Sequence, residues 1–153
     1  MAQGFGTWAE SQAIYVQEKK QWYLWNGNVW QADQANHMTA LASTFLSSLS
    51  VSCEKSPYSE LSETIKKFET LGKLNNMAKL ATPALAQSIS DLDQNPMLLA
   101  VANTYINLET GQPILPDPSH LVSISSPVQY DPEADCHVFK EFINTIFEGD
   151  EDI

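Results

Sequence analysis

The dipeptide Asn26-Gly27, set between Trp22-Tyr23-Leu24-Trp25 and Val29-Trp30, constrains this chain more than any other stretch. Asparagine-glycine between apolar runs is the strongest short hairpin signal, because both central residues of a type I′ turn need positive φ. A two-residue loop at this site pairs Tyr23 with Trp30 and Leu24 with Val29. Side chains alternate across a strand, so Tyr23, Trp25 and Trp30 share one face of the ribbon, and Trp22, Leu24 and Val29 the other. Ile14-Tyr15-Val16 and the polar turn Glu18-Lys19-Lys20 come first, and residues 13–32 read as a β-meander.

Helices are expected next. Residues 35–50 place Met38, Leu41, Ala42, Phe45, Leu46 and Leu49 at three- and four-residue spacing, the stripe of an amphipathic helix. A break is expected at 51–56. Ser56-Pro57 supplies a cap and a first-turn proline for the following helix, with Leu61, Ile65, Phe68 and Leu71 inward and Glu63 and Lys67 as an i,i+4 pair. Gly72 and Asn75-Asn76 loosen its end. Residues 77–81 and 83–89 read as two more short helices, the second started by Thr82-Pro83.

Beyond Asn95-Pro96 the pattern turns to strands. Tyr105-Ile106-Asn107-Leu108 alternates, Glu109-Thr110-Gly111 turns, and residues 112–115 return, with Pro113 marking a sheet edge. Residues 120–125 alternate again. Asp135 is placed to cap a last helix whose buried side is Val138, Phe139, Phe142, Ile143, Ile146 and Phe147. The expected fold is α+β in a single domain: an N-terminal hairpin or meander, a helical middle, short C-terminal strands and a closing helix.

Charge narrows the function classes. Nineteen acidic residues stand against eight lysines and no arginine, for a formal net charge of −11. Guanidinium is the preferred group for bidentate phosphate contacts, so this surface as a whole repels nucleic acid, although a local lysine patch can still touch it. Cys53 and Cys136 form no disulfide framework and read as reduced thiols of a cytoplasmic protein. The N-terminus has no basic segment ahead of an apolar run, so no signal peptide is read. No apolar stretch approaches the roughly 20 residues that span a bilayer.

No catalytic, cofactor-binding or metal-binding residue is read from the sequence. Gly72-Lys73 lacks both flanks of a phosphate loop, and Gly4-Phe5-Gly6 lacks the third glycine and leading strand of a dinucleotide site. His37, His120, His137, Cys53 and Cys136 include no second pair at zinc spacing. Asp131-Pro132-Glu133-Ala134-Asp135 opens like a calcium loop, but Cys136 stands where glycine is needed and Phe142 where glutamate is needed. Those acids read as helix-start residues favoured by the helix dipole. Two readings stand for Tyr23, Trp25 and Trp30: a stacking platform for single-stranded DNA beside Lys19 and Lys20, or a sheet face buried against helices. Lys66, Lys67, Lys73 and Lys79 form a second basic cluster, readable as a solvated helix face.

Four stretches together carry a family resemblance: 22–33 around Asn26-Gly27; Leu92-Asp93-Gln94-Asn95-Pro96 followed by Leu98-Leu99; 103–111; and 128–136 running on to Ile146-Phe147-Glu148-Gly149-Asp150. In order and spacing they resemble the N-terminal domain of phage and plasmid primase–helicases, also found in the poxvirus helicase–primase, which precedes a superfamily-three helicase domain. Asn103-Thr104 stands where that family usually has asparagine-glycine, Ser125 where a basic residue is common, and His137 where proline is common. The resemblance implies a domain over 1–148 and an acidic tail over 149–153 leading toward a helicase domain that this chain lacks. ATP and magnesium are expected only in that absent domain. It further implies a non-catalytic accessory role in DNA replication, positioning the motor relative to a primase module or DNA, in a bacterial cytoplasm of phage or prophage origin. The implied partners are the helicase domain or a primase module and single-stranded DNA, with the piece alone a monomer or weak dimer. The alternative from the −11 charge is a free-standing acidic interaction module that mimics nucleic acid.

Overall fold

The computed structural model describes residues 2–54 and 59–147. The Ser56-Pro57 helix start and the acidic tail at 149–153 lie outside the described residues.

The meander forms as β1 (Ala13–Val16), β2 (Gln21–Trp25) and β3 (Trp30–Ala32). Its register differs from the expected one: Trp25 faces Trp30, Leu24 faces Gln31 and Tyr23 faces Ala32. Asn26 causes the shift. Its Oδ1 accepts from the Asn28 and Val29 amides at 2.9 and 2.8 Å, closing a longer loop over residues 26–29 in which Gly27 sits at φ 96°. A slip of two residues keeps every side chain on its face, since strands repeat with period two. The sorting of the aromatics therefore survives the wrong register, except that Val29 leaves the strand for the loop.

A fourth strand, β4 (Ala86–Gln87), pairs parallel to β1 and completes the sheet in the order β3-β2-β1-β4. It replaces the short helix expected at 83–89. Tight 3-10 turns flank it at Thr82–Ala84 and Ile89–Asp91.

One face of this sheet meets the helices. These are α1 (Ala2–Ala9), α2 (His37–Glu54), α3 (Ser59–Lys66) and α4 (Leu71–Ala81). Trp22 and Leu24 pack there against Phe5, Met38, Phe45, Leu46, Met77 and their neighbours. α1 was not anticipated. Gly6 lets it approach the 82–84 turn, where a Cβ would stand 3.2 Å from that of Ala84.

α2 continues to Glu54, into the break expected at 51–56, of which residues 55 and 56 lie outside the described residues. It continues because its last turn is tied to α3 by polar groups: Ser50 and Ser62 hydroxyls lie 2.9 Å apart, and Glu54 accepts from Ser62 and from Lys66. This seam turns α3 so that Ser62 and Ile65 are buried, while Leu61 and Leu71, expected inward, stay exposed and Phe68 is only partly covered. Lys66 pairs with Glu54 rather than Lys67 with Glu63. α4 passes without interruption through Gly72 and Asn75-Asn76.

Asp33 holds the start of α2. Its carboxylate accepts from the Ala35, His37 and Met38 amides, and His37 Nδ1 lies 3.2 Å from Oδ1. Burial would raise its pKa, but the amides of Met38, His37 and Ala35 and the imidazole outweigh it and hold the group below the ordinary carboxylate range. Asp33→Ala is expected to lower stability by about 1–2 kcal/mol at neutral pH, read from urea unfolding. A depressed folded pKa gives stability that is present above the unfolded value near 3.9 and lost as pH falls through the folded one. The gap between wild type and variant should therefore close in acid.

The opposite sheet face carries Ile14, Val16, Tyr23, Trp25 and Trp30, covered by Leu92 and Leu121. A second antiparallel sheet, β5 (Leu98–Ala100), β6 (Tyr105–Asn107) and β7 (Pro113–Ile114), lies next to this layer, with Pro113 on an edge strand as expected. Residues 120–125 are not a strand. Leu121 is left-handed at φ 50°, which breaks a ladder, and the segment is held by single bonds such as Trp30 N–H to the Val122 carbonyl at 2.8 Å.

The last element, α5 (His137–Ile146), stands where a closing helix was expected, but its apolar face is not buried. Val138, Phe139, Phe142, Ile146 and Phe147 are exposed and Ile143 is half-buried. Asp135 does not cap it; the carboxylate reaches Lys140 instead, at 3.1 Å. Cys53 is half-buried, Cys136 is exposed, and no disulfide joins them. No helix among the described residues is long and apolar enough to cross a membrane.

Candidate functional site

The five residues singled out as nucleic-acid contacts do not share a surface. Trp30 is 1% exposed, and its indole N–H donates to the Pro118 carbonyl at 2.9 Å. Trp25 leans on it with ring centroids 5.5 Å apart, and Tyr23 is half-buried in the same cluster. Trp30 has no ring face open to a base. Lys19 and Lys20 lie exposed at the β1–β2 turn.

Lys20 has a different neighbour. It lines a cleft of about 370 Å³ with Trp22, Asn36, Thr39, Asn75 and Lys79, between the β1–β2 turn, the start of α2, and α4. Trp22, Asn36, Asn75 and Thr39 escaped the sequence reading because their contributions come from three separate elements. Two of the four left-handed non-glycine residues among the described residues are here, Lys20 at φ 50° and Asn36 at φ 58°. Asp33 also borders the cleft, yet its side chain is only 3% exposed and occupied by the α2 amides.

The motif residues of the second half have structural partners. Asp93, itself at φ 54°, accepts from the Ser123 and Ile124 amides and the Ser123 hydroxyl. Asn103 forms a two-way bridge to the Tyr130 backbone at 2.8 and 3.0 Å. Asn107 Oδ1 accepts from the Glu109 and Thr110 amides of the turn. Tyr105, fully buried, donates its hydroxyl to the Asn28 carbonyl and so ties the second sheet to the first hairpin. Asp117 is held below the usual carboxylate range by the Ser119 hydroxyl and amide. Among the described residues, no group of three or more His, Cys, Asp or Glu side chains could hold a metal ion.

A family model described as D5 N terminal like matches residues 2–148. The chain belongs to the D5 N-terminal-like family. It is accordingly an N-terminal domain of the kind found in D5-like primase–helicases. No curated protein matches it by sequence. In this D5 N-terminal-like domain the stretches that carried the resemblance, 92–99, 103–111 and 128–136, fasten one loop to another. Among its open surfaces are the Lys20–Lys79 cleft and the apolar face of α5.

Proposed function

We propose that this D5 N-terminal-like domain is a non-catalytic accessory module that holds a helicase motor in place relative to primase or DNA. The observation that carries the reading is α5. Val138, Phe139, Phe142 and Ile146 make one apolar stripe along the helix, each more than half exposed. A contiguous apolar surface of this kind marks an interaction site, and an amphipathic helix typically lays such a face into a groove. The family supports a helicase module as its occupant.

The test is binding between this chain and a helicase module from a D5-like primase–helicase. Phe139→Asp combined with Phe142→Asp is expected to weaken that binding at least about tenfold, since large apolar anchors dominate interfaces. The melting temperature should stay unchanged, because both rings are already in solvent. Binding that survives the double change overturns the reading. So does a concentration-dependent dimer of the wild type that the double change abolishes, which assigns the face to a second copy.

A further inference from the structure

We propose that the cleft between the β1–β2 turn and α4 holds a phosphodiester group of single-stranded nucleic acid, gripped by Lys20 and Lys79. Most other described lysines of this acidic chain are committed elsewhere. Lys66 pairs with Glu54 and Lys140 with Asp135, while Lys73 donates to the Lys67 carbonyl and lies over the Phe68 ring. Lys20 and Lys79 have no ion-pair partner among the described residues, and both line one cleft. Lys19 and Lys67 also have no ion-pair partner among the described residues, but only Lys20 and Lys79 line a cleft together, on a chain of net charge −11.

The rest of the lining suits a phosphate with an attached sugar and base. Thr39 donates to Asn75 Oδ1 at 2.8 Å, which leaves the Asn75 amide N–H groups to donate elsewhere. Asn36 adds a second amide, and Trp22 an apolar wall for a sugar or base edge. The one carboxylate at the border, Asp33, is nearly buried and taken up by four donors, so it opposes an anion weakly. The cleft, of about 370 Å³, is within the size range of small-molecule sites. The left-handed backbone at Lys20 is a conformation that glycine adopts more readily than lysine, and such strain collects at functional positions.

The inference rests on the accessory reading only for nucleic acid being near the domain. Its variants leave α5 untouched, so the two ideas fail separately. The experiment is titration of the whole chain with a fluorescent oligothymidylate, about twenty nucleotides long, following tryptophan quenching as well. Two phosphate contacts predict a salt slope near −1.4, or about a sevenfold loss between about 50 and about 200 mM salt. Lys20→Gln and Lys79→Gln should each weaken binding about threefold and together about tenfold, with a flattened salt slope. Lys67→Gln, outside the cleft, should change nothing. Lys20→Gly should keep or raise the melting temperature while still losing affinity, which no folding defect reproduces.

The proposal is overturned if the wild type does not bind, if the double variant binds like the wild type, or if Lys67→Gln weakens binding equally. Equal or tighter binding of a duplex removes the single-strand assignment. Displacement by thymidine monophosphate at a concentration matching the oligonucleotide makes this a free-nucleotide site and ends the strand proposal.

Discussion

Trp30→Ala is expected to destabilise the domain by about 3–5 kcal/mol, the range for truncating a buried aromatic. Trp30 is 1% exposed, packs against the Trp25 ring and belongs to the buried cluster of Ile14, Val16 and Leu92, with Tyr23 and Leu121 against it. Its ring nitrogen donates to Pro118, so the change also removes a tie across the second layer. A loss of this size is a large fraction of the roughly 5–15 kcal/mol that holds a domain folded. Urea unfolding followed by far-ultraviolet circular dichroism measures it. A cost under about 1 kcal/mol would mean that the ring does not lie in the core and would reopen the stacking-platform reading.

Tyr105 carries the second large effect. Tyr105→Ala is expected to cost about 3–5 kcal/mol, as for other buried aromatics. Tyr105→Phe keeps the ring and orphans the Asn28 carbonyl, for about 1–3 kcal/mol. The hydroxyl also predicts an alkaline weakness. Burial, then the charges of Asp117 and Asp93, pushes its pKa up to about 12. An unfolded tyrosine ionises near 10, so between about 10 and about 12 the unfolded chain releases a proton that the folded one keeps. Stability should fall across that window in the wild type and fall less in Tyr105→Phe. Parallel alkaline curves for the two proteins would show that this hydroxyl does not titrate differently in the folded state.

What could be read beforehand follows from how local each cause is. The hairpin and the sorting of its aromatics were legible because turn chemistry and period two act within a few residues. Its register was not, because the side chain of Asn26 redefined the loop. The α2 stripe was legible in Met38, Ala42, Phe45 and Leu46, but its length was set by Ser50, Ser62 and Glu54, polar groups that hydrophobic periodicity overlooks. β4 escaped notice since two residues carry no pattern, and a parallel partner is fixed by tertiary contact alone. For α5 the amphipathic pattern was plain, and the expectation of burial failed because a sequence shows which face is apolar but not what covers it. At the candidate cleft, Lys20 was legible as an exposed turn lysine. Its meeting with Lys79, Asn36 and Asn75 depends on how α2 and α4 pack beside the sheet.

The two borders of the three-stranded meander are sealed by chain made much later. Tyr15 waits for Ala86, and the backbone of Trp30 waits for Val122. During synthesis the tryptophan-rich ribbon leaves the ribosome with both flanks bare, the condition under which strands recruit strangers. A nascent polypeptide of this design is most vulnerable before its final third emerges.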